Sequence, residues 1–356
     1  MGGNNNTEIA WRGEKMERQE RITLIKELED YLGSRVICYL TGDRENVNTR
    51  VAPDIIRVFF HHLETMGPRP KMHLLLYTRG GDVLTPWRLV NLIREYTPFF
   101  GVIIPYRAYS AGTLICLGAD ELVMGRMGEL GPIDPSVANA FNPQDPNNPV
   151  ARIPVSVEDV SSYLALGKEK GGLISENQIL SIFRLLSDRV HPLALGNVHR
   201  NHALIRSLAR KLLDLRSFSL PETVIQEIID SLTEKLYAHN YMISRREAKQ
   251  NIKLPVSVPP PLIEKSIWQL FEGYEGCLRL QETFSPECMV PDHEREISFK
   301  VIGGIIESED RTDGFIFSGR ITRAGSKAEG NPKVMVNMQD QSWQKLYERG
   351  CRCRGL

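Results

Sequence analysis

Over residues 14–31 apolar positions return every three or four residues, with Ile22, Leu24, Ile25, Leu28 and Leu32 on one stripe. That spacing predicts an amphipathic helix. The next apolar stretches have a different form. Residues 35–40, 72–77, 100–105 and 121–124 are short, nearly continuous apolar runs, the pattern of strands covered on both faces. Between them, residues 53–66, 82–96 and 111–119 return to helical spacing, and Gly67-Pro68-Arg69-Pro70 stops the first of these. The turn-like Thr41-Gly42-Asp43 ends the first strand. Alternation of strand and helix argues an α/β layered domain around a largely parallel sheet.

The remainder is less regular. Residues 139–154 are rich in Asn and Pro and read as loop, 158–249 as helical, 255–261 as a Pro-rich break, and 262–280 as a further helix. Residues 297–306 and 314–322 read as two strands around an acidic turn at 307–313, followed by a polar tail after Ala324. The expected organisation is a polar leader (1–20), a main domain (21–254), a helix plus β-hairpin extension (255–324) and a polar, basic tail (325–356). No internal repeat is evident.

Composition narrows the function classes. Lys+Arg and Asp+Glu each number 44, so no net field draws the chain to nucleic acid or anionic lipid. The basic run at 349–354 reads as a frayed end. Six cysteines (Cys38, Cys116, Cys277, Cys288, Cys351, Cys353) follow no disulfide or metal-site spacing, as expected in a reducing compartment. Even the close pair Cys351 and Cys353 falls outside the C-x-x-C pattern. The polar N-terminus has no signal-peptide core. Arg107, Asp120 and Glu121 interrupt the most apolar region, 99–124, leaving no segment able to span a bilayer. A soluble, cytoplasmic protein without cofactor or metal is expected.

Three segments could carry chemistry. Thr78-Arg79-Gly80-Gly81-Asp82 joins a buried strand to a helix, and paired glycines there let the backbone turn sharply and aim N–H groups at a bound oxygen. Taken alone it is also an ordinary tight turn. Tyr106-Arg107-Ala108-Tyr109-Ser110-Ala111-Gly112-Thr113 repeats the strand-to-helix arrangement with a serine at the junction. Ser110 is either a simple N-cap or a nucleophile, with the Ala111 N–H and one from Gly80 or Gly81 as oxyanion donors. Met127-Gly128-Glu129-Leu130-Gly131-Pro132-Ile133-Asp134-Pro135 is a turn-rich run after the next strand.

In this order the segments resemble the Clp-protease and signal-peptide-peptidase-A superfamily, most closely its serine dehydrogenase proteinase branch. The resemblance rests on Arg79-Gly80-Gly81-Asp82, Tyr109-Ser110-Ala111-Gly112-Thr113, Gly128 through Pro135, and a later stretch, His239-Asn240-Tyr241 with Arg245-Arg246-Glu247-Ala248. It covers about residues 35–280. It implies a Clp/crotonase-like spiral of β-β-α units, a homo-oligomer, Ser110 as nucleophile and the Gly-Gly turn as oxyanion hole.

A serine hydroxyl needs a base to take its proton. Clp-type enzymes place a histidine shortly after the serine, but no histidine lies between His73 and His191 here. Relatives of the signal-peptide-peptidase and NfeD types use a lysine on a later helix, which the resemblance puts at residues 157–170. It makes Lys168 the expected base and Lys170 the second choice. Such a lysine works only where burial favours its neutral form. His191 is an outside candidate. His199 and His202 fall on one helical face but lack further ligands for a metal. The chain has no G-x-x-x-x-G-K-[ST] motif, so ATP hydrolysis is not expected of it.

The leading expectation is therefore an ATP-independent serine endopeptidase acting on proteins or peptides through an acyl-enzyme. Two others compete: a catalytically degenerate scaffold of the same fold, and a crotonase-like acyl-CoA enzyme that shares the oxyanion hole without needing the serine. Stripes such as Ile179, Ile182, Phe183, Leu186 and Val190 fit either a core or a subunit contact. A membrane-associated partner is neither indicated nor excluded.

Overall fold

A computed structural model describes residues 16–133, 136–137, 140–153, 155–234, 241–291, 294–324 and 333–349. Four parallel strands form its centre: β1 (Arg35–Thr41), β2 (Lys71–Tyr77), β3 (Phe99–Ile104) and β4 (Glu121–Met124). Their continuous apolar runs divide residue by residue between two cores. Ile37, Tyr39, Leu74, Leu76, Val102 and Ile104 enter one hydrophobic cluster; Val36, Cys38, Leu40, Leu75, Tyr77 and Ile103 enter the other. Successive side chains point to opposite faces of a sheet, so a sheet covered on both sides needs apolar residues at every position.

Helices α1 (Arg18–Leu32), α2 (Ile55–Met66), α3 (Thr85–Arg94) and α4 (Ala111–Leu117) precede or separate these strands. The helical middle comprises α5 (Val157–Glu169), α6 (Glu176–Arg189), α7 (Pro192–Asp214), α8 (Glu222–Thr233) and α9 (Arg245–Gln250); α10 (Pro261–Leu278) follows. Helices α2, α3, α4, α7 and α8 cover the first face of the sheet, and α1 with α10 covers the second. Asp120, immediately before β4, ties the layers together. Its carboxylate accepts from Arg94 Nη1 at 2.7 Å, Phe100 N–H at 2.9 Å and Ser217 N–H at 2.6 Å.

Three parts of the chain differ from expectation. The Pro-rich stretch contains a short strand, β5 (Val256–Ser257), that pairs with β4. Beyond it, β6 (Glu296–Glu307) and β7 (Arg311–Ala324) are the expected pair, but Lys333–Glu348, within the expected polar tail, is a third and longer strand, β8. The sheet thus has eight strands in the order β5-β4-β3-β2-β1-β6-β7-β8. Strand β6 runs antiparallel to β1, so the extension continues the main sheet. The 139–154 loop also holds a small hairpin, Gln144–Asp145 against Asn148–Arg152.

Buried charges fasten this C-terminal meander to the body. Arg21 of α1 meets Glu307 of β6 through two bonds, Nε to Oε2 at 2.8 Å and Nη2 to Oε1 at 3.0 Å. Tyr274 and Thr312 donate to the same carboxylate, each at 2.8 Å. On the other face His62 of α2 contacts Asp313 at 3.1 Å and Ser308 Oγ at 2.9 Å, and Arg311 forks onto Asp313. Each buried charge has an opposite partner and satisfied oxygens, the condition for tolerating it in a core.

Candidate active site

The site forms where two successive strand-to-helix turns meet. Beyond β2 the chain keeps contact with the segment beyond β3: the Thr78 N–H donates to Arg107 O at 2.8 Å, and the Tyr109 N–H to Thr78 O at 3.0 Å. The Gly-Gly turn thereby lies directly on Ser110. Gly80 has φ +106° and no room for a side chain. A Cβ there would sit 2.7 Å from Ser110 Cβ and 3.2 Å from Ser110 Oγ. Gly81 is pressed equally hard against another backbone, since a Cβ would meet Val51 O at 2.1 Å. Only glycine permits both the dihedral and the approach.

Ser110 has φ 52° and ψ −110°, and its hydroxyl does not cap α4. The simple N-cap alternative is therefore excluded. A non-glycine residue at such dihedrals is strained, and a sharp strained turn from strand to helix is the device that lifts a nucleophile clear of its surroundings. The hydroxyl is left facing the glycine turn.

The backbone donors sort themselves. The Gly80 N–H is committed to Thr78 Oγ1 at 3.0 Å, and Thr41 Oγ1 in turn donates to Thr78 Oγ1 at 2.8 Å. No described residue accepts from the N–H of Gly81 or of Ala111. Of the two glycines, Gly81 is thus the one with a free donor. Gly81 and Ala111 are the two of the expected oxyanion donors whose N–H groups have no acceptor among the described residues.

The third motif braces the second. Arg107–Ala108 pairs in parallel with Glu129–Leu130, and Ile243–Ser244 pairs antiparallel on the far side. This brings the later stretch next to the serine turn, although His239 and Asn240 lie outside the described residues, as do Asp134 and Pro135. Thr113 Oγ1, fully buried, bridges Ala108 O and Gly131 O, each at 2.8 Å. The Tyr109 hydroxyl donates to Glu129, and burial followed by that bond pushes the phenol up to about 12. Thr78 and Thr113 hold the turns in place, yet in the sequence they are merely hydroxyl residues at the edges of apolar runs. A buried threonine with no apolar role is the only signal that marks them.

The expected bases are not assembled with Ser110. Lys168, in the last turn of α5, and Lys170, just beyond it, are exposed. Their helix packs on α6 and α7. His191 is the N-cap of α7, accepting from the Leu193 N–H at 3.2 Å, and its ring stacks on Phe141. His199 and His202 line a cavity of about 430 Å³ between α5, α6 and α7, and His202 lies 3.5 Å from Glu234. Among the described residues no cluster of His, Cys, Asp or Glu could hold a metal ion, and no helix is long and apolar enough to cross a membrane. The buried histidines serve packing: His73 joins Ser34 Oγ at 2.8 Å and Glu121 at 3.3 Å.

The chain is similar to several known proteins. Two uncharacterised proteins of Methanocaldococcus jannaschii are similar to the chain. One is 26% identical over 61% of this chain and 63% of its own length, so the match spans less than two thirds of that relative. The other is 22% identical over 72% of this chain and 76% of its own. Among solved structures, a lysine-to-alanine mutant of 1510-N membrane-bound stomatin-specific protease in complex with a substrate peptide overlaps 65% of this chain and 78% of its own, with 16% identity and a TM-score of 0.35. A serine-to-alanine mutant of the same protease gives 14% identity, 69% and 86% coverage and a TM-score of 0.33. A family model, ClpP-like SDH-type serine proteinase, matches residues 13–147, a span that holds Gly80, Gly81, Ser110 and Glu129 but ends before Lys168, Lys170 and His191. Over that span the chain is similar to the ClpP-like SDH-type serine proteinase family.

Proposed function

We propose that this protein is an ATP-independent serine endopeptidase with Ser110 as nucleophile. The observation that carries the proposal is the contact between the turns: the bare face of Gly80 lies against a strained, uncapped Ser110, with the Gly81 and Ala111 N–H groups free nearby. Ser110 Oγ attacks the scissile carbonyl of a peptide or protein and passes its proton to a base. The two N–H groups hold the resulting oxyanion. Collapse breaks the C–N bond, the base protonates the departing amine, and water then hydrolyses the acyl-enzyme by the same route reversed.

Lys168 is the proposed base, with Lys170 and His191 behind it. Its exposure in the single chain means that α5 must be covered, by substrate or by a second copy in a homo-oligomer, before the amine can act neutral. That same exposure favours one other function, a peptide-binding scaffold without turnover.

Labelling with a fluorophosphonate, followed by mass spectrometry, separates these. An adduct on Ser110, lost in Ser110→Ala and in Lys168→Ala, supports the Ser-Lys pair. Labelling that survives Lys168→Ala moves the base to Lys170 or His191. No adduct between neutral and alkaline pH refutes the hydrolase and leaves the scaffold.

A further inference from the structure

Arginines that the chemistry above does not use stand on the rim of the glycine turn. Arg79 directly precedes Gly80, and its side chain is 59% exposed. Its guanidinium lies 3.7 Å from Asp43 Oδ2, outside hydrogen-bonding distance, while the other oxygen of Asp43 is taken by the Tyr77 hydroxyl at 2.8 Å. Arg50 is also exposed. It adjoins Val51, whose N–H donates to Gly80 O at 3.0 Å and whose carbonyl accepts from the Asp82 N–H at 2.8 Å. No described residue makes an ion pair with Arg50.

A third arginine behaves differently. Arg107 lies over the Tyr106 ring, donates to the Tyr106 hydroxyl, and has Asp43 at 4.0 Å and Glu129 at 3.8 Å. It braces Asp43 from within, and its Nε is buried without a hydrogen-bond partner. The inner arginine is therefore covered by the Tyr106 ring and lies between two carboxylates, while the outer two are exposed, Arg79 with one loose ion pair to Asp43. A planar guanidinium with free N–H groups recognises a carboxylate through two parallel bonds.

We propose that Arg79, with Arg50 beside it, receives a carboxylate of the substrate chain close to the scissile bond. This specificity assignment rests on the peptidase reading above. The carboxylate belongs either to an Asp or Glu side chain or to the free C-terminus of the peptide.

Fluorescence anisotropy on the full-length Ser110→Ala protein tests the assignment without requiring turnover. The probes are labelled peptides that differ only as Glu against Gln at single positions, or as free acid against C-terminal amide. One acidic form should bind about tenfold more tightly at low salt, the preference shrinking as salt screens it. Which pair responds identifies the source of the carboxylate. Adding Arg79→Ala should abolish the preference, and Arg79→Glu should turn it toward Lys-containing peptides. Equal affinities for all pairs, an unchanged preference in Arg79→Ala, or no peptide binding would each overturn the assignment. Fluorophosphonate labelling of the unsubstituted chain reports separately on the peptidase: an adduct without carboxylate preference removes only the role of Arg79, and a preference without an adduct keeps the binding site and removes hydrolysis.

Discussion

Replacing Ser110 by glycine should make the protein more stable than replacing it by alanine, although both variants lose the hydroxyl proposed as nucleophile. The backbone at φ 52°, ψ −110° is open to glycine but costs other residues about 1–3 kcal/mol. Alanine inherits that cost in full. Glycine escapes it but loses more freedom on folding, about 0.5–1 kcal/mol. The middle of these ranges leaves Ser110→Gly ahead of Ser110→Ala by about 1 kcal/mol and the extreme by about 2.5 kcal/mol, a rise of about 1–3 °C in melting temperature for a protein of this size. Differential scanning calorimetry with urea unfolding measures it, and equal m-values would show that the unfolded states are comparable. If Ser110→Gly melts at or below Ser110→Ala, the strain argument fails, and with it the account of why the serine is uncapped.

Two further outcomes follow from the same geometry. Gly80→Ala should slow fluorophosphonate labelling at least about 100-fold, because its methyl would stand 2.7 Å from Ser110 Cβ and must displace the Ser110 side chain. Gly33→Ala, at φ +57° with nothing within 4 Å, should cost about 1 kcal/mol of stability and leave the labelling rate alone; equal effects of the two would remove the steric argument. At Asp120, burial works to raise the carboxyl, but the bonds from Arg94, Ser217 and Phe100 overcome it and hold the group below its ordinary value. Its contribution is therefore fully present above about pH 4, the unfolded value, and fades as pH falls through the lower folded one. Asp120→Asn should cost about 3 kcal/mol at pH 7 and flatten the acid limb of a pH–stability curve measured in urea; an unchanged limb would contradict this.

Much of the parallel sheet was legible because its strands are short, nearly continuous apolar runs, each ended by Gly, Pro or a polar turn. The meeting of Gly80 with Ser110 was legible as motif order, since consecutive strand-to-helix turns of a parallel sheet fall at the same edge. Strand β8 was not. It lies at the edge of the sheet, and Asn337, Gln339, Asp340 and Gln341 are exposed on it, so its sequence carries a surface pattern rather than a core one. Strand β5 hides among prolines because two residues suffice to extend an edge. That the Gly80 N–H is occupied turns on one threonine hydroxyl, and no spacing rule reports where a hydroxyl points. The base is illegible for a deeper reason: a lysine becomes one through its surroundings, which helix periodicity does not encode.

The bond between Arg21 and Glu307 also sets a timetable. The two residues are 286 positions apart, so at about 5–20 residues per second a ribosome needs roughly 15–60 s to deliver the second after the first. Until then α1 carries an unmatched guanidinium on the face it will bury, and β1 lacks its antiparallel neighbour. The amino-terminal layer can collapse during synthesis but cannot close. Completion waits for β6, which makes translation products that stop short of it natural targets for chaperones and proteases.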